Sequence, residues 1–203
     1  MNTTSKSGLR DQTALLVVDV QESFRHRPYW SDSDIPAFTS QVQKLIDGCA
    51  GAGVPVVQVF HVENDGAFSM ASGWVNTLEG IHIQPAVIIH KNHHSALAGT
   101  SLGAWLTERG IRRLIVSGIR TEQCCETTTR QASDSGFEVW YVTEATLTFP
   151  MTYEPTGRVY SPAELKERTE LVLAGRFARI VTVDEVLAEL TESGGKDAAV
   201  SHA

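Results

Sequence analysis

The sequence has few cysteines and no long apolar run, and each shortage argues against a class of protein. Only three of its 203 residues are cysteine, at Cys49, Cys124 and Cys125, and two of these are adjacent. Such a set is a poor disulfide framework and favours a reducing compartment. No apolar run approaches the roughly 20 residues that a membrane-spanning helix needs. The sequence therefore argues against a disulfide scaffold and against a transmembrane protein.

Basic residues are also in the minority. The chain has 17 Lys and Arg against 24 Asp and Glu, which gives a net charge of −7. Without a basic run, we expect no nucleic-acid partner and no membrane partner. Residues 1–12 are polar and lack the apolar core of a signal peptide, which predicts a cytoplasmic protein. A hydrophobic content of 42% is sufficient for a core and argues against disorder.

Short apolar runs alternate with helical segments along the chain. The predicted strands are 13–19, 54–61, 84–91, 112–117, 137–143 and 177–183. The predicted helices are 34–52, 102–109, 121–135, 162–174 and 184–190. Crossovers of a dozen or more residues imply parallel pairing in right-handed βαβ units. We expect a three-layer α/β/α sandwich with an open, mainly parallel six-stranded, Rossmann-like sheet. It forms a single domain over 13–190, between an N-terminal arm (1–12) and a flexible C-terminal tail (191–203).

Three chemically useful residues fall at or just past the ends of predicted strands, where ligands bind in such sheets. Asp19 ends the first strand, Lys91 ends the third, and Cys124 follows the fourth. With Thr121 as N-cap, Cys124 lies in the first turn of a helix, where the helix dipole favours a thiolate. A nearby lysine also favours the thiolate, and a buried carboxylate can exchange protons with it. The alternatives are a buried apolar cysteine, a capping aspartate and a solvated lysine.

The other cysteine and the histidines have plainer interpretations. Cys125 points about 100° further round the helix and is expected in the core. His61 ends the second strand, and His90, His93 and His94 form the run HKNHH. A metal site needs three or four convergent ligands, whereas this run spans a strand end and a turn. We therefore expect solvated or capping histidines and no metal.

Several segments, in order, resemble the isochorismatase-like cysteine hydrolase family, which includes nicotinamidases, N-carbamoylsarcosine amidase and ureide amidohydrolases. The three main ones are LLVVDVQESF at 15–24, KNHHSALAGTSLGAWL at 91–106 and VSGIRTEQCCETTTRQASDSGFEV at 116–139. FARIVTVDEVL at 177–187 resembles the closing strand and helix of the family. The resemblance covers about residues 13–190 and so nearly the whole predicted domain.

The resemblance implies a set of site residues. Asp19, Lys91 and Cys124 match the catalytic triad, and the alignment selects Cys124 over Cys125. It also implies a cis peptide bond between Ile119 and Arg120 and an oxyanion hole made by the backbone N–H groups of Arg120 and Cys124. The aromatic residues near the expected pocket mouth also serve packing and interfaces in proteins; the candidates are Phe24, Trp30, Phe60, Trp74 and Phe149.

The resemblance further implies hydrolysis of a C–N bond in a small amide or ureide through a cysteine thioester, with no cofactor. Metal-dependent nicotinamidases have an Asp-x-His unit after the second strand, where this sequence reads HVENDG, so no zinc site is expected. A homodimer or homotetramer is expected, with a neighbouring subunit helping to close the pocket. The alternatives are vinyl-ether hydrolysis of isochorismate, which does not need the thiol, and a catalytically silent scaffold used for interaction.

Overall fold

The computed structural model describes residues 9–199, with side chains described as far as residue 192. Within the described residues, eight strands follow one another: β1 Thr13–Val18, β2 Val56–His61, β3 Val87–Lys91, β4 Arg113–Ile119, β5 Glu138–Leu147, β6 Met151–Tyr153, β7 Arg158–Tyr160 and β8 Arg179–Ile180. The α-helices are α1 Ile35–Gly51, α2 Leu102–Glu108, α3 Glu126–Asp134, α4 Pro162–Leu173 and α5 Val183–Ala199.

Six strands form the main sheet in the order β3-β2-β1-β4-β5-β8, and all of its pairings are parallel. Every residue of β1 is buried, as expected for a central parallel strand that is covered on both faces. Its side chains alternate between two cores. Leu15 and Val17 pack on the side of α1 and α5, and Leu16 and Val18 pack on the side of α2 and α3. The predicted three-layer sandwich is confirmed.

Gly118 allows β1 and β4 to approach closely at their carboxyl ends. It lies opposite Val18 in the parallel register and has a φ of 129°, a conformation that L side chains rarely adopt. A Cβ atom at this position would lie 1.9 Å from the carbonyl oxygen of Val18. Glycine is therefore required at position 118, where the chain leaves β4 beside the end of β1.

Several predicted boundaries are wrong. No strand was predicted between 143 and 162, but β6 and β7 form an antiparallel hairpin there. The last strand of the sheet has only two residues, and the N–H of Ala178, just before it, donates to Leu173 of α4 instead of to β5. Helix α5 continues to Ala199, well past its predicted end, so much of the expected tail is helical, and 200–203 lie outside the described residues.

The expected N-terminal arm is only partly within the structure, since residues 1–8 lie outside the described residues. Arg10, near the end of this segment, is held against α5, where its Nε donates to the carbonyl oxygen of Leu190 over 2.6 Å. Among the described helices, none combines the length and the apolar character needed to cross a bilayer.

Candidate active site

The fold brings Asp19, Lys91 and Cys124 together at the carboxyl edge of the sheet. The Nζ atom of Lys91 lies 2.7 Å from Oδ2 of Asp19 and 3.4 Å from Sγ of Cys124. The exposed fractions of the three residues are 0%, 2% and 7%. The three residues that the sequence places at separate strand ends thus form one buried cluster, in which a cation lies between a carboxylate and a thiol.

Asp19 is fixed by the backbone immediately after β1. Its N–H donates to the carbonyl oxygen of Val59 over 2.9 Å, and its φ of 52° turns the chain out of the strand. Burial raises the pKa of the Asp19 carboxyl, and the ammonium of Lys91 opposes this effect. Its Oδ1 atom has no hydrogen-bond partner among the described residues. This oxygen is available to accept a proton.

Lys91 is surrounded by acceptors. Besides Asp19, its Nζ lies 3.1 Å from the carbonyl oxygen of His93 and 3.1 Å from Nδ1 of His61. Burial disfavours the ammonium, but the attraction of Asp19 and Cys124 together outweighs burial and raises the pKa of Lys91. Because an ammonium has three donors and no acceptor, Nδ1 of His61 must be the unprotonated nitrogen. The proton of His61 therefore lies on Nε2, which faces Oε1 of Glu63 at 3.7 Å.

Cys124 lies in a turn of π-helix, Thr121–Cys125, which leads into α3. The carbonyl oxygen of Arg120 accepts from the N–H groups of Gln123 and Cys125, each over 3.2 Å. Thr121 is not the N-cap that the sequence predicted. Its hydroxyl bonds to Thr146 over 2.7 Å, because the side chain is buried against β5 instead of facing the helix end.

The protonation state of Cys124 differs from the sequence-based expectation. A position at a helix start predicted a lowered thiol pKa, but burial raises the pKa of Cys124 to about 12, with a further contribution from Asp19 and an opposing one from Lys91. The resting cluster therefore holds a neutral thiol. Cys125 is fully buried in the core, and burial raises its pKa well above the ordinary value.

Glu126 follows the Thr121–Cys125 turn directly and is held by several charged partners. Its carboxylate, which is 6% exposed, pairs with Arg130 over 3.0 Å and also with Arg168 of α4. Thr169 adds a hydrogen bond of 3.2 Å to the same carboxylate. The contacts with Arg168 and Thr169 bind α4 to the turn that carries Cys124, and sequence reasoning missed them because these partners lie 42 and 43 positions from Glu126.

The peptide bond between Ile119 and Arg120 is cis. The guanidinium of Arg120 lies 4.9 Å from the ring centre of Tyr29 and 3.1 Å from a carboxylate oxygen of Glu122 in the Thr121–Cys125 turn. Both charged side chains are 8% exposed. Arg120 and Glu122 thus form a buried ion pair directly after β4.

The five candidate pocket aromatics have different surroundings. Phe24 and Phe149 are part of the hydrophobic core, and Trp30 packs against Phe149 with ring centres 5.4 Å apart. Phe60 is buried and contacts His90, on the opposite face of β2 from His61. Trp74 is exposed and stacks on His26. Phe68, which was not among the candidates, is buried with its ring centre 5.8 Å from that of His61, the histidine beside Lys91.

The two histidines that follow Lys91 differ in position. The Nδ1 atom of His94 lies 3.8 Å from Sγ of Cys124, and its ring is parallel to that of His61. The ring of His93 lies beside Gly99 instead. Both are exposed, as expected, but only His94 contacts the thiol.

Asp19, His61 and Cys124 also form a set of metal-ligand types, with one ligand atom of each within 4.8 Å of the others. The ammonium of Lys91, however, lies 2.7, 3.1 and 3.4 Å from these three residues. A divalent cation at the centre of the set would be in contact with this ammonium. The arrangement therefore suits a lysine and does not fit a metal ion.

A buried cysteine, lysine and aspartate at the carboxyl edge of a parallel α/β sheet define a hydrolase-type site. Residues 13–161 match the Isochorismatase domain, and the chain belongs to this family of hydrolases. It is 31% identical to nicotinamidase 3 of Arabidopsis thaliana, over 85% of this chain and 86% of that protein. It is 28% identical to a streptothricin hydrolase of Streptomyces noursei, over 89% and 72%. An isochorismatase-family structure from Chromobacterium violaceum superposes with a TM-score of 0.82 at 26% identity, over 93% and 100%.

Proposed function

We propose that the protein hydrolyses a C–N bond of a small amide or ureide through a thioester on Cys124. The observation that carries this proposal is the contact of one buried ammonium with both a carboxylate and a thiol, at 2.7 and 3.4 Å. A buried thiol beside a base is the arrangement that covalent acyl transfer needs. The names of the relatives agree with it, since nicotinamidase and ureidoacrylate amidohydrolase both denote C–N hydrolases.

The first half-reaction begins with the neutral thiol. Asp19 takes the proton of Cys124, and Sγ attacks the carbonyl carbon of the substrate. The oxyanion is held by the backbone N–H groups of Arg120 and Cys124. Asp19 then gives its proton to the leaving nitrogen, the C–N bond breaks, and ammonia or an amine departs. Lys91 stays charged throughout and holds the carboxylate and the sulfur together.

Water then hydrolyses the thioester and restores the thiol. The product is a carboxylic or carbamic acid, and no cofactor is required. Vinyl-ether hydrolysis would use Asp19 and Lys91 but would leave Cys124 without a role. The contact between Lys91 and the thiol therefore favours the amide reaction.

Release of ammonia from a panel of small amides and ureides tests the proposal. We expect Cys124→Ala to lose at least about a thousandfold in turnover, as for loss of a nucleophile. Cys125→Ala is the matched control, because it removes the adjacent, fully buried thiol and should keep most of the activity. Full activity of Cys124→Ala toward isochorismate, with none of the panel hydrolysed by the wild type, would favour the vinyl-ether reaction instead.

A further inference from the structure

Asp19 and Lys91 approach Cys124 from the interior of the protein. They are 0% and 2% exposed, and Cys124 itself is 7% exposed. His94 is exposed and contacts the same sulfur, at 3.8 Å. The thiol therefore has one potential base on its buried side and a second on its solvent side.

His94 is held at this position by the backbone on both sides of it. On one side, the carbonyl oxygen of His93 accepts from Nζ of Lys91 over 3.1 Å. On the other, the N–H of Ala96 donates to the hydroxyl of Thr128 in α3 over 3.0 Å. Both anchors belong to elements that also position the cluster, so the place of the imidazole relative to Sγ is set by the fold.

We propose that His94 is the base of the second half-reaction, which hydrolyses the thioester. This inference rests on the proposed function. After the amine has left, Asp19 is a carboxylate again and is covered by Lys91 and Cys124. The attacking water comes from solvent and meets His94 first. A general base acts through a hydrogen bond to the attacking water. Nδ1 of His94 is close enough to Sγ for one water molecule to lie between this nitrogen and an acyl carbon bonded to the sulfur.

The step balances. Water gives a proton to Nδ1 of His94 while its oxygen bonds to the acyl carbon. The C–S bond then breaks, and its electron pair remains on Sγ. The proton on Nδ1 passes to this thiolate across the 3.8 Å contact, which restores the neutral thiol and the neutral imidazole. His94 thus returns to the state in which it began.

The test uses p-nitrophenyl acetate, which acylates a thiol without needing an acid for its leaving group. For His94→Gln we expect a burst of one nitrophenolate per chain at a rate within about twofold of wild type. The steady state that follows should be at least about tenfold slower, since general base catalysis contributes on the order of 10²-fold or more. Mass spectrometry of quenched protein should show the acetyl group accumulated on Cys124. Hydroxylamine, which attacks thioesters without a base, should restore turnover.

His93→Gln is the matched control, because it changes the neighbouring exposed imidazole and leaves the backbone contact with Lys91 in place. It should behave as wild type. An unchanged steady state in His94→Gln, an equal loss in His93→Gln, or a loss of burst and steady state in the same proportion would each overturn the inference. Absence of acetylated Cys124 after quenching, together with no burst, in both wild type and His94→Gln would refute the thiol chemistry and both proposals. A burst without hydrolysis of any amide would refute only the substrate class.

Discussion

The side chain of Gln21 bonds both backbone polar groups of His61. Its Oε1 accepts from the N–H of His61 over 2.8 Å, and its Nε2 donates to the carbonyl oxygen of His61 over 3.1 Å. Gln21 is fully buried, two positions after Asp19. It therefore fixes the end of β2 to the turn that follows β1, and with it the imidazole that contacts Lys91.

We expect Gln21→Leu to lower the free energy of unfolding by about 2–4 kcal/mol, since two buried backbone groups would lose their partners at about 1–3 kcal/mol each. The chain contains a matched control. Gln43 makes the same pair of hydrogen bonds to His82, over 2.8 and 2.9 Å, but on the surface. Gln43→Leu should cost less than about 1 kcal/mol, because water replaces the lost contacts. Urea denaturation measures both values, and equal losses would contradict this account.

The charges around the thiol set its rate of alkylation. Asp19 raises the pKa of Cys124 and Lys91 lowers it, both acting in addition to burial. Asp19→Asn should therefore speed the labelling of Cys124 by iodoacetamide, and Lys91→Ala should slow it, by up to about tenfold per unit of pKa. Asp19→Asn should nevertheless be inactive toward amides, because the proton donor for the leaving nitrogen is lost.

Peptide mass spectrometry between pH 6 and 9, in the presence of a chelator, measures this labelling. Cys49 serves as an internal reference. Burial also raises its pKa to about 12, but neither Asp19 nor Lys91 is among the causes. If Lys91→Ala is labelled as fast as wild type, the ammonium does not act on the thiol.

His61 makes stability depend on pH. Its side chain is 14% exposed, and burial, followed by Lys91 and His94, lowers its pKa from 6.5 to about 4. The folded chain binds this proton less readily than the unfolded chain, so unfolding takes up a proton between pH 6.5 and 4. The free energy of unfolding should fall by roughly 2–3 kcal/mol as the pH decreases through this window, and this contribution is complete above pH 6.5.

Urea denaturation at pH 7 and pH 4.5 gives the free energy of unfolding at each pH, and the difference between the two values is compared among variants. The loss of stability between the two values should be smaller in His61→Gln than in wild type. His82→Gln replaces an exposed imidazole and should leave the wild-type loss unchanged. The same pH dependence in His61→Gln and wild type would show that another group is responsible.

The position of Lys91 should decide whether the protein binds a metal ion. Dialysis against EDTA should leave the activity unchanged, and added zinc should not increase it, because the ammonium lies among the candidate ligands. In Lys91→Ala, Asp19, His61 and Cys124 are left with their ligand atoms within 4.8 Å of one another. This variant should acquire about one zinc ion per chain, since these ligand types suit zinc. Elemental analysis after dialysis measures the metal, and the double variant with His61→Ala should lose it.

The sequence predicted the sheet and the approach of Asp19, Lys91 and Cys124 at its edge, because both depend on local pattern. A continuous apolar run such as that of β1 is read directly, and Asp19 and Lys91 each end such a run. The hairpin of β6 and β7 was missed, since its residues are mostly exposed and show no apolar alternation. The pKa of Cys124 was misjudged for a different reason. The helix start is visible in the sequence, whereas the burial that outweighs it depends on how the whole edge of the sheet packs.

The contacts that hold the site together were also beyond sequence reasoning. Gln21 and His61 are 40 positions apart, and Glu126 and Arg168 are 42 apart. Nothing in the local composition distinguishes His94 from His93, and only the path of the loop brings one imidazole to the sulfur. Residue types were therefore predictable at strand ends, but pairings between distant segments were not.

The close approach of Gly118 and Val18 makes the spacing of Asp19 and Cys124 a property of the main chain. Asp19 is the next residue after Val18, and the turn that carries Cys124 begins three residues after Gly118. Any side chain at position 118 would drive the two strands apart and carry Asp19 away from Cys124 with them. Position 118 therefore has to remain glycine. A residue with no direct part in substrate binding or proton transfer thus limits which sequences can evolve within this hydrolase.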